Sequence, residues 1–183
     1  MPPDCPDIVL AGATRGDEGD IATLYRSLNP RLLRYLRHHV GHVAEDVASE
    51  VWLALASQLA DFDGDVREFQ ALMFTIARRR TIDHYRRNGR RRASVPIADI
   101  DCVCPDDTET QVMEHLTAQG AVEALVASLP DDQAEIVLLR VLGDLDVEEV
   151  AALVGKSNGA VRVSQHRALQ RLKRTFARKA VTQ

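Results

Sequence analysis

The sequence is short of most of what an enzyme or a secreted scaffold requires. It has three cysteines, which cannot all pair within one chain, and Cys102 and Cys104 stand too close for a relaxed disulfide. That usage points to a reducing, cytoplasmic setting rather than a disulfide framework. Aromatic residues make up 4% of the chain, so any core must be built mainly from Leu, Val, Ile and Ala. No apolar run approaches the ~18 residues of a membrane span. The opening Met1-Pro2-Pro3-Asp4 offers no basic patch followed by an apolar segment, so neither a secretory signal nor membrane insertion is expected. No Ser/His/Asp grouping, glycine-rich phosphate loop or paired-carboxylate motif stands out, so the chain is not expected to be an enzyme or to carry a cofactor. His38, His39 and His42 gather at a helix end, where cations suit the helix dipole. A zinc site would need a further ligand, and Cys102-Val103-Cys104 lacks the two-residue spacer of common zinc sites. No metal is expected.

Charge is plentiful, and its distribution is uneven. The formal net charge is −4, which alone argues against nucleic acid. Yet Arg78–Arg92 carries a net +7 and Lys156–Lys179 a net +8 with no acid at all. Between them, Asp99–Glu114 and Asp131–Glu149 each carry −6. Alternating blocks of this kind mark candidate interaction surfaces, although a basic helix face can also be merely solvated.

Apolar residues recur at three and four throughout, so the chain is expected to be all-α. Ile21, Leu24, Tyr25, Leu28, Leu32, Leu33, Leu36 and Val40 form the first stripe, which Asn29-Pro30 should kink or restart. A second helix is expected over about 45–60, burying Val47, Ala48, Val51, Leu55 and Leu59. A turn-rich loop, Asp61–Asp65, leads to a third helix from about Val66 to Asn88-Gly89, with Phe69, Leu72, Met73 and Ile76 inward. Residues from about Arg90 to Thr108 lose the period, contain Pro96 and Pro105 and run into the acidic block, so they read as a linker. Beyond it, Asp131 and Asp132 offer an N-cap for a helix over about 133–142, closed by Gly143. Asp146 with Glu149 resembles a capping box for the next helix, which ends at Gly155. Ser157 caps the last helix, which carries Val161, Ala168, Leu169, Leu172 and Phe176.

The segment from Val147 to about Gln170 has the requirements of a helix-turn-helix. Ala151 is small where the helices cross, Gly155 tolerates positive φ in the turn and Val161 anchors the second helix. That helix turns Ser157, Asn158, Arg162, His166 and Arg167 outward, as a major-groove reader would. In the earlier basic block, His84 and Tyr85 interleave with arginines and could stack on bases.

Several motifs in order carry a family resemblance. Asp46-Val47-Ala48-Ser49-Glu50-Val51-Trp52, Phe69–Arg78 and Ile82-Asp83-His84-Tyr85-Arg86-Arg87 are similar to region two of bacterial RNA polymerase sigma factors. Leu129-Pro130-Asp131-Asp132-Gln133, Val150–Gly155 and Gly159–Leu169 resemble region four. A short chain with only these regions resembles the extracytoplasmic-function group (group 4). It departs from the family pattern at Ser49 (often Gln), Leu72 (often Trp) and Ser164 (commonly a larger apolar residue).

The resemblance implies two small helical domains, a region-two bundle over 1–90 and a region-four helix-turn-helix over 112–183, joined by an extended acidic linker over 91–111. It implies that Asp46, Val47 and Glu50 lie on the helix that grips the clamp helices of the polymerase largest subunit. Phe62 and Asp63 would hold a flipped base of the minus-ten element, and Arg79, Arg80, Asp83, His84 and Arg87 would read or track that element. Ser157, Asn158, Arg162, Val163, His166 and Arg167 would meet the minus-thirty-five element. The partners it implies are core RNA polymerase, including its beta flap, promoter DNA and an anti-sigma factor, with the free chain a monomer. Two other readings compete. One is a helix-turn-helix regulator with a sensing or dimerising N-terminal half. The other is a helical enzyme whose basic blocks bind a phosphorylated substrate.

Overall fold

In the computed structural model the described residues are 6–87, 126 and 128–180, without the side chains of 173 and 175–180. The expected linker at 91–111 lies outside them. All regular structure among the described residues is helical. The helices are α1 (Pro6–Thr14), α2 (Glu18–Val40), α3 (Ala44–Leu59), α4 (Val66–Arg87), α5 (Asp131–Leu142), α6 (Val147–Val154) and α7 (Asn158–Ala180), with one 3-10 turn over Gly41–Val43. None is long and apolar enough to cross a membrane.

Helix α1 has no counterpart in the expected elements. It buries Val9, Leu10 and Ala13 against α2, and Asp7 accepts a hydrogen bond from the Val66 N–H at 3.1 Å, which ties it to the start of α4. Nine residues give too few helical repeats for the period to stand out in sequence, and only the packing against α2 makes the helix stable.

Helix α2 is not restarted at Pro30: it runs as one 23-residue helix through that residue. Leu24, Leu28, Leu32, Tyr35 and Leu36 are buried on one stripe that continues in phase across it, while Pro30 itself is exposed. An interior proline costs about 3 kcal/mol. Burying a single leucine contributes about 1.5–3 kcal/mol, so the stripe outweighs the proline several times over. The Arg26 carbonyl, deprived of its donor, also belongs to an exposed residue, where water can replace the bond.

Two further expectations are corrected. Asp131 and Asp132 lie inside the first turn of α5 rather than capping it, and the Gln133 and Ala134 N–H groups bond to the Pro130 carbonyl instead. The two acids still suit the positive end of the helix dipole. Leu169 is 46% exposed, on the outer side of α7, whereas Val161 and Ala168 are fully buried.

The N-terminal helices α1–α4 form one packed group around Leu32, Tyr35, Val51, Phe69, Met73 and Phe74. The two halves also touch, because α5 packs on α2. Arg78 on α4 donates from Nε to Glu135 Oε1 on α5 at 2.9 Å, with the Glu135 side chain only 5% exposed. Arg67 on α4 donates to the Asp144 carbonyl at 3.3 Å. Between these contacts Gly143 meets Phe74 so closely that a Cβ would lie 3.2 Å from the ring and 2.6 Å from the Leu139 carbonyl.

Replacing Pro30 with Ala restores the missing bond without disturbing the core. Pro30→Ala is expected to stabilise the protein by about 1–2 kcal/mol, less than the full helix penalty because proline also restricts the unfolded chain. Thermal unfolding should show the midpoint rising by about 2–8 °C.

Candidate nucleic-acid and polymerase interface

Three surfaces carry the expected site residues. The first is α3 with its neighbour α2. Asp46 and Glu50, four residues apart, share the outer side of α3, whereas Val47 is 3% exposed and belongs to the core. Val47 therefore sets the position of α3 from beneath and presents no contact surface in this arrangement. Beside it runs an apolar groove of about 530 Å³ lined by Ile21, Tyr25, Leu33, Trp52, Leu53 and Leu59, among others. Ile21, Tyr25 and Leu53 are 38%, 45% and 73% exposed. In sequence Ile21 and Tyr25 look like members of the core stripe of α2, and only the assembled pair of helices shows them facing outward. The Trp52 indole meets the Tyr25 ring at a tilt of 47° with centroids 4.9 Å apart and donates to Asn29 Oδ1 at 2.9 Å. That bond satisfies its one polar atom and leaves the ring as groove wall.

The second surface is the loop into α4 and the outer face of that helix. Phe62 is half-buried and meets Phe69 edge to face at 5.3 Å, while Asp63 is exposed. Asp65 and Glu68 form a reciprocal cap: the Glu68 N–H bonds Asp65 Oδ1 at 2.8 Å and the Asp65 N–H bonds Glu68 Oε2 at 3.0 Å. The loop is thus pinned on both sides of Gly64.

Along α4 the buried stripe of Phe69, Met73, Phe74, Ile76, Ala77 and Thr81 determines which residues face out. Arg79, Asp83 and Arg87 recur every four residues on the outer side and are all exposed. Arg80 and His84 are intermediate. Arg80 and Arg87 approach Glu50 at 3.7 and 4.0 Å, so α3 and α4 join two expected surfaces into one. These pairs are well solvated and hold the side chains only loosely. Tyr85 is half-buried and its hydroxyl donates to the His39 carbonyl, which makes it a tie between α4 and α2 before it is any stacking platform.

The third surface is the helix-turn-helix. Asp146 caps α6 by accepting from the Glu148 and Glu149 N–H groups, and Glu149 returns a bond from the Asp146 N–H, so the box seen in sequence is complete. Gly155 takes the left-handed conformation, φ 69°, and the Lys156 N–H reaches back to the Ala151 carbonyl at 3.0 Å. Ala151 and Val161 are buried where the helices meet. Ser157 accepts from the Ala160 N–H at 3.2 Å. Ser157, Asn158, Arg162, Val163, His166 and Arg167 are all exposed. Neither Arg162 nor Arg167 pairs with an acid among the described residues, whereas Lys156 is held by Asp132 at 3.1 Å. Two helix-borne cationic faces with a free apolar groove beside one of them can bind polyanions and a helical protein partner. Among the described residues no cluster of His, Cys, Asp and Glu could hold a metal ion.

At the rim of the groove, Arg37 donates to Glu45 Oε1 at 2.8 Å, and that hydrogen bond holds the Glu45 carboxyl below the ordinary carboxylate range. A depressed folded-state value adds stability above the unfolded pKa, and the contribution is lost as pH falls through the folded value. Arg37→Ala is expected to raise the Glu45 midpoint back toward that of a free carboxylate, as followed by side-chain carboxyl chemical shifts. An unchanged midpoint would show that the pair does not form in solution.

The sequence matches Sigma-70 region 2 over residues 24–91 and Sigma-70, region 4 over residues 119–172. It is similar to the ECF RNA polymerase sigma factor SigD of Mycobacterium tuberculosis, 38% identical over 173 residues that span 91% of this chain and 82% of that protein. It is also similar to ECF RNA polymerase sigma factor ShbA of Streptomyces griseus, 35% identical over 171 residues, 88% of this chain and 90% of the relative. In fold it resembles CnrH in its complex with the cytosolic domain of CnrY, at TM-score 0.59 and 21% identity over 95% of this chain and 98% of that one. A second likeness of fold is the sigma factor RpoE of Bartonella quintana in complex with the anti-sigma factor NepR, TM-score 0.60 and 20% identity over 86% and 97%.

Proposed function

The chain belongs to the ECF RNA polymerase sigma factors, a non-enzymatic family that acts in transcription initiation, and from that premise we propose how its residues divide the work. Residues 1–90 bind core polymerase and engage the minus-ten element, 91–111 link the halves and 112–183 engage the minus-thirty-five element. The protein acts in the cytoplasm and is a monomer when free.

Asp46 and Glu50 meet the clamp helices of the polymerase largest subunit. Their carboxylates suit a basic partner, and Val47 holds their helix in place. The helix-turn-helix half contacts the beta flap. Phe62 and Asp63 receive a base flipped from the minus-ten strand, with Arg79, Arg80, Asp83, His84 and Arg87 following that strand. Opening duplex costs about 1.4 kcal/mol per step in stacking, and seating extruded bases in protein pockets returns part of it. Ser157, Asn158, Arg162, Val163, His166 and Arg167 face the major groove of the minus-thirty-five element. The apolar groove of α2 and α3 is where an anti-sigma factor docks, since its exposed Ile21, Tyr25 and Leu53 need a partner's apolar helix to cover them.

One observation carries this reading: Arg79, Arg87, Arg162 and Arg167 stay exposed on two separate helices of one net-negative chain. Two readers become far more effective once polymerase holds both near the promoter, because the second contact is then intramolecular.

The test is run-off transcription with core enzyme over a promoter library. The wild-type chain should direct initiation only with core polymerase, and failure to do so would overturn the proposal. Arg162→Ala should cut transcription about 5- to 150-fold if it contacts a base edge, with loss of preference at one position of the minus-thirty-five element. Arg167→Ala should weaken binding evenly across sequences and lower the salt slope by about one if it contacts phosphate. Neither variant should alter co-purification with core polymerase.

A further inference from the structure

The structure assigns Asp7, on α1, as a positioning residue for the loop that leads into α4, and so as a determinant of which base that loop accepts. This inference rests on the reading above that Phe62 and Asp63 receive a base extruded from the minus-ten strand. Helix α1 belongs to none of the three surfaces that carry the expected site residues. It also lies ahead of the match to Sigma-70 region 2, which begins at residue 24.

Asp7 acts through one peptide group. The first N–H groups of a helix have no partner within it. At the start of α4 the Glu68 N–H is taken locally, by Asp65 Oδ1 at 2.8 Å. The Val66 N–H is taken by Asp7 Oδ1 at 3.1 Å, from 59 positions away. The carbonyl of that same peptide group, on Asp65, accepts from the Phe69 N–H at 3.0 Å. A planar peptide held at both of its polar atoms has a fixed orientation. Asp65 ends the loop, so the loop leaves α4 in one direction. Two contacts carry that direction to Phe62. Its ring meets Phe69 edge to face at 5.3 Å. The backbone at Gly64 runs so close to the same ring that a Cβ there would lie 2.9 Å from it.

A hydrogen bond positions its partner only as well as it is itself held, and α1 is firmly held. Val9, Leu10 and Ala13 are buried. At the turn into α2, the Arg15 and Asp17 N–H groups both bond to the Gly12 carbonyl at 3.1 Å. Gly12 leaves the room that Asp20 occupies, since a Cβ there would lie 1.7 Å from Asp20 Oδ2. Asp7 stands in the first turn of α1, so one carboxylate serves the positive ends of two helices, α1 and α4. Asp7 is exposed, so replacing it opens no cavity.

The test uses the full-length chain with core polymerase on promoters that carry each base in turn at every minus-ten position. Asp7→Ala should reduce the base preference at the position served by Phe62 and Asp63 by about 2- to 30-fold, the range for loss of one helix-capping bond. Preference within the minus-thirty-five element should not change. In the free protein, amide hydrogen exchange at Val66 should quicken. Asp7→Asn keeps an acceptor oxygen in the same place and should restore both readouts. Faster exchange at Val66 with base preference intact would overturn the proposal, because the bond would then support the fold alone. Unchanged exchange, or an equal loss of preference at all promoter positions, would overturn it too. Failure of the underlying reading would look different: Phe62→Ala would leave the minus-ten preference intact, whatever the replacement at Asp7 does.

Discussion

The burial of one side of α4 is the constraint from which the other surfaces follow. Phe69, Met73, Phe74, Ile76, Ala77 and Thr81 face the core, and a 3.6-residue period leaves no freedom in where the remaining residues point. Arg79, Asp83 and Arg87 are thereby sent to solvent and Arg78 toward the second half. A rotation of α4 by one residue would bury a guanidinium in the apolar core, at a cost that no local gain could offset. The arginines keep their places because the opposite side of the helix cannot move.

That constraint also joins surfaces that are distant in sequence. Glu50 on α3, one of the residues expected to meet polymerase, stands beside Arg80 and Arg87 of α4, which are expected to follow DNA. Anything that tilts α3 against α4 is felt on both. The apolar groove next to it, walled by Trp52 and Tyr25, belongs to the same pair of packed elements, α2 and α3. Membership of a sigma factor family sets aside both the free regulator with a sensing half and the helical enzyme, the two readings that competed in the sequence.

Electrostatics divides the molecule in a way that net charge conceals. A sum of −4 describes neither basic block, and the acidic stretch Asp131–Glu149 is as much a part of the design as the arginines it approaches. Lys156 is held by Asp132 and Arg78 by Glu135, whereas Arg162 and Arg167 project freely among the described residues. The counted charge of a block therefore overstates what a polyanion would meet on some faces and not on others.

Helix positions, the Asp146–Glu149 box, the left-handed Gly155 and the Ala151/Val161 crossing were legible in the chain, because capping and period depend on residues within a turn or two of one another. The exposure of Ser157, Asn158, Arg162, Val163, His166 and Arg167 was legible for the same reason: it follows from one buried stripe. Local signals failed at Pro30, where a breaker lost to a stripe buried by other helices, and at Ile21 and Tyr25, whose apolar character did not reveal that they line an open groove. They failed at α1, too short to announce itself, whereas at Val47 the helical period rightly gave burial and only the family resemblance placed it among the polymerase contacts. They gave no sign that Glu135 would meet Arg78 across 57 positions. Contacts of that kind depend on which faces come together once the helices are assembled, and that is settled by the shape and burial of the whole body rather than by any run of neighbouring residues.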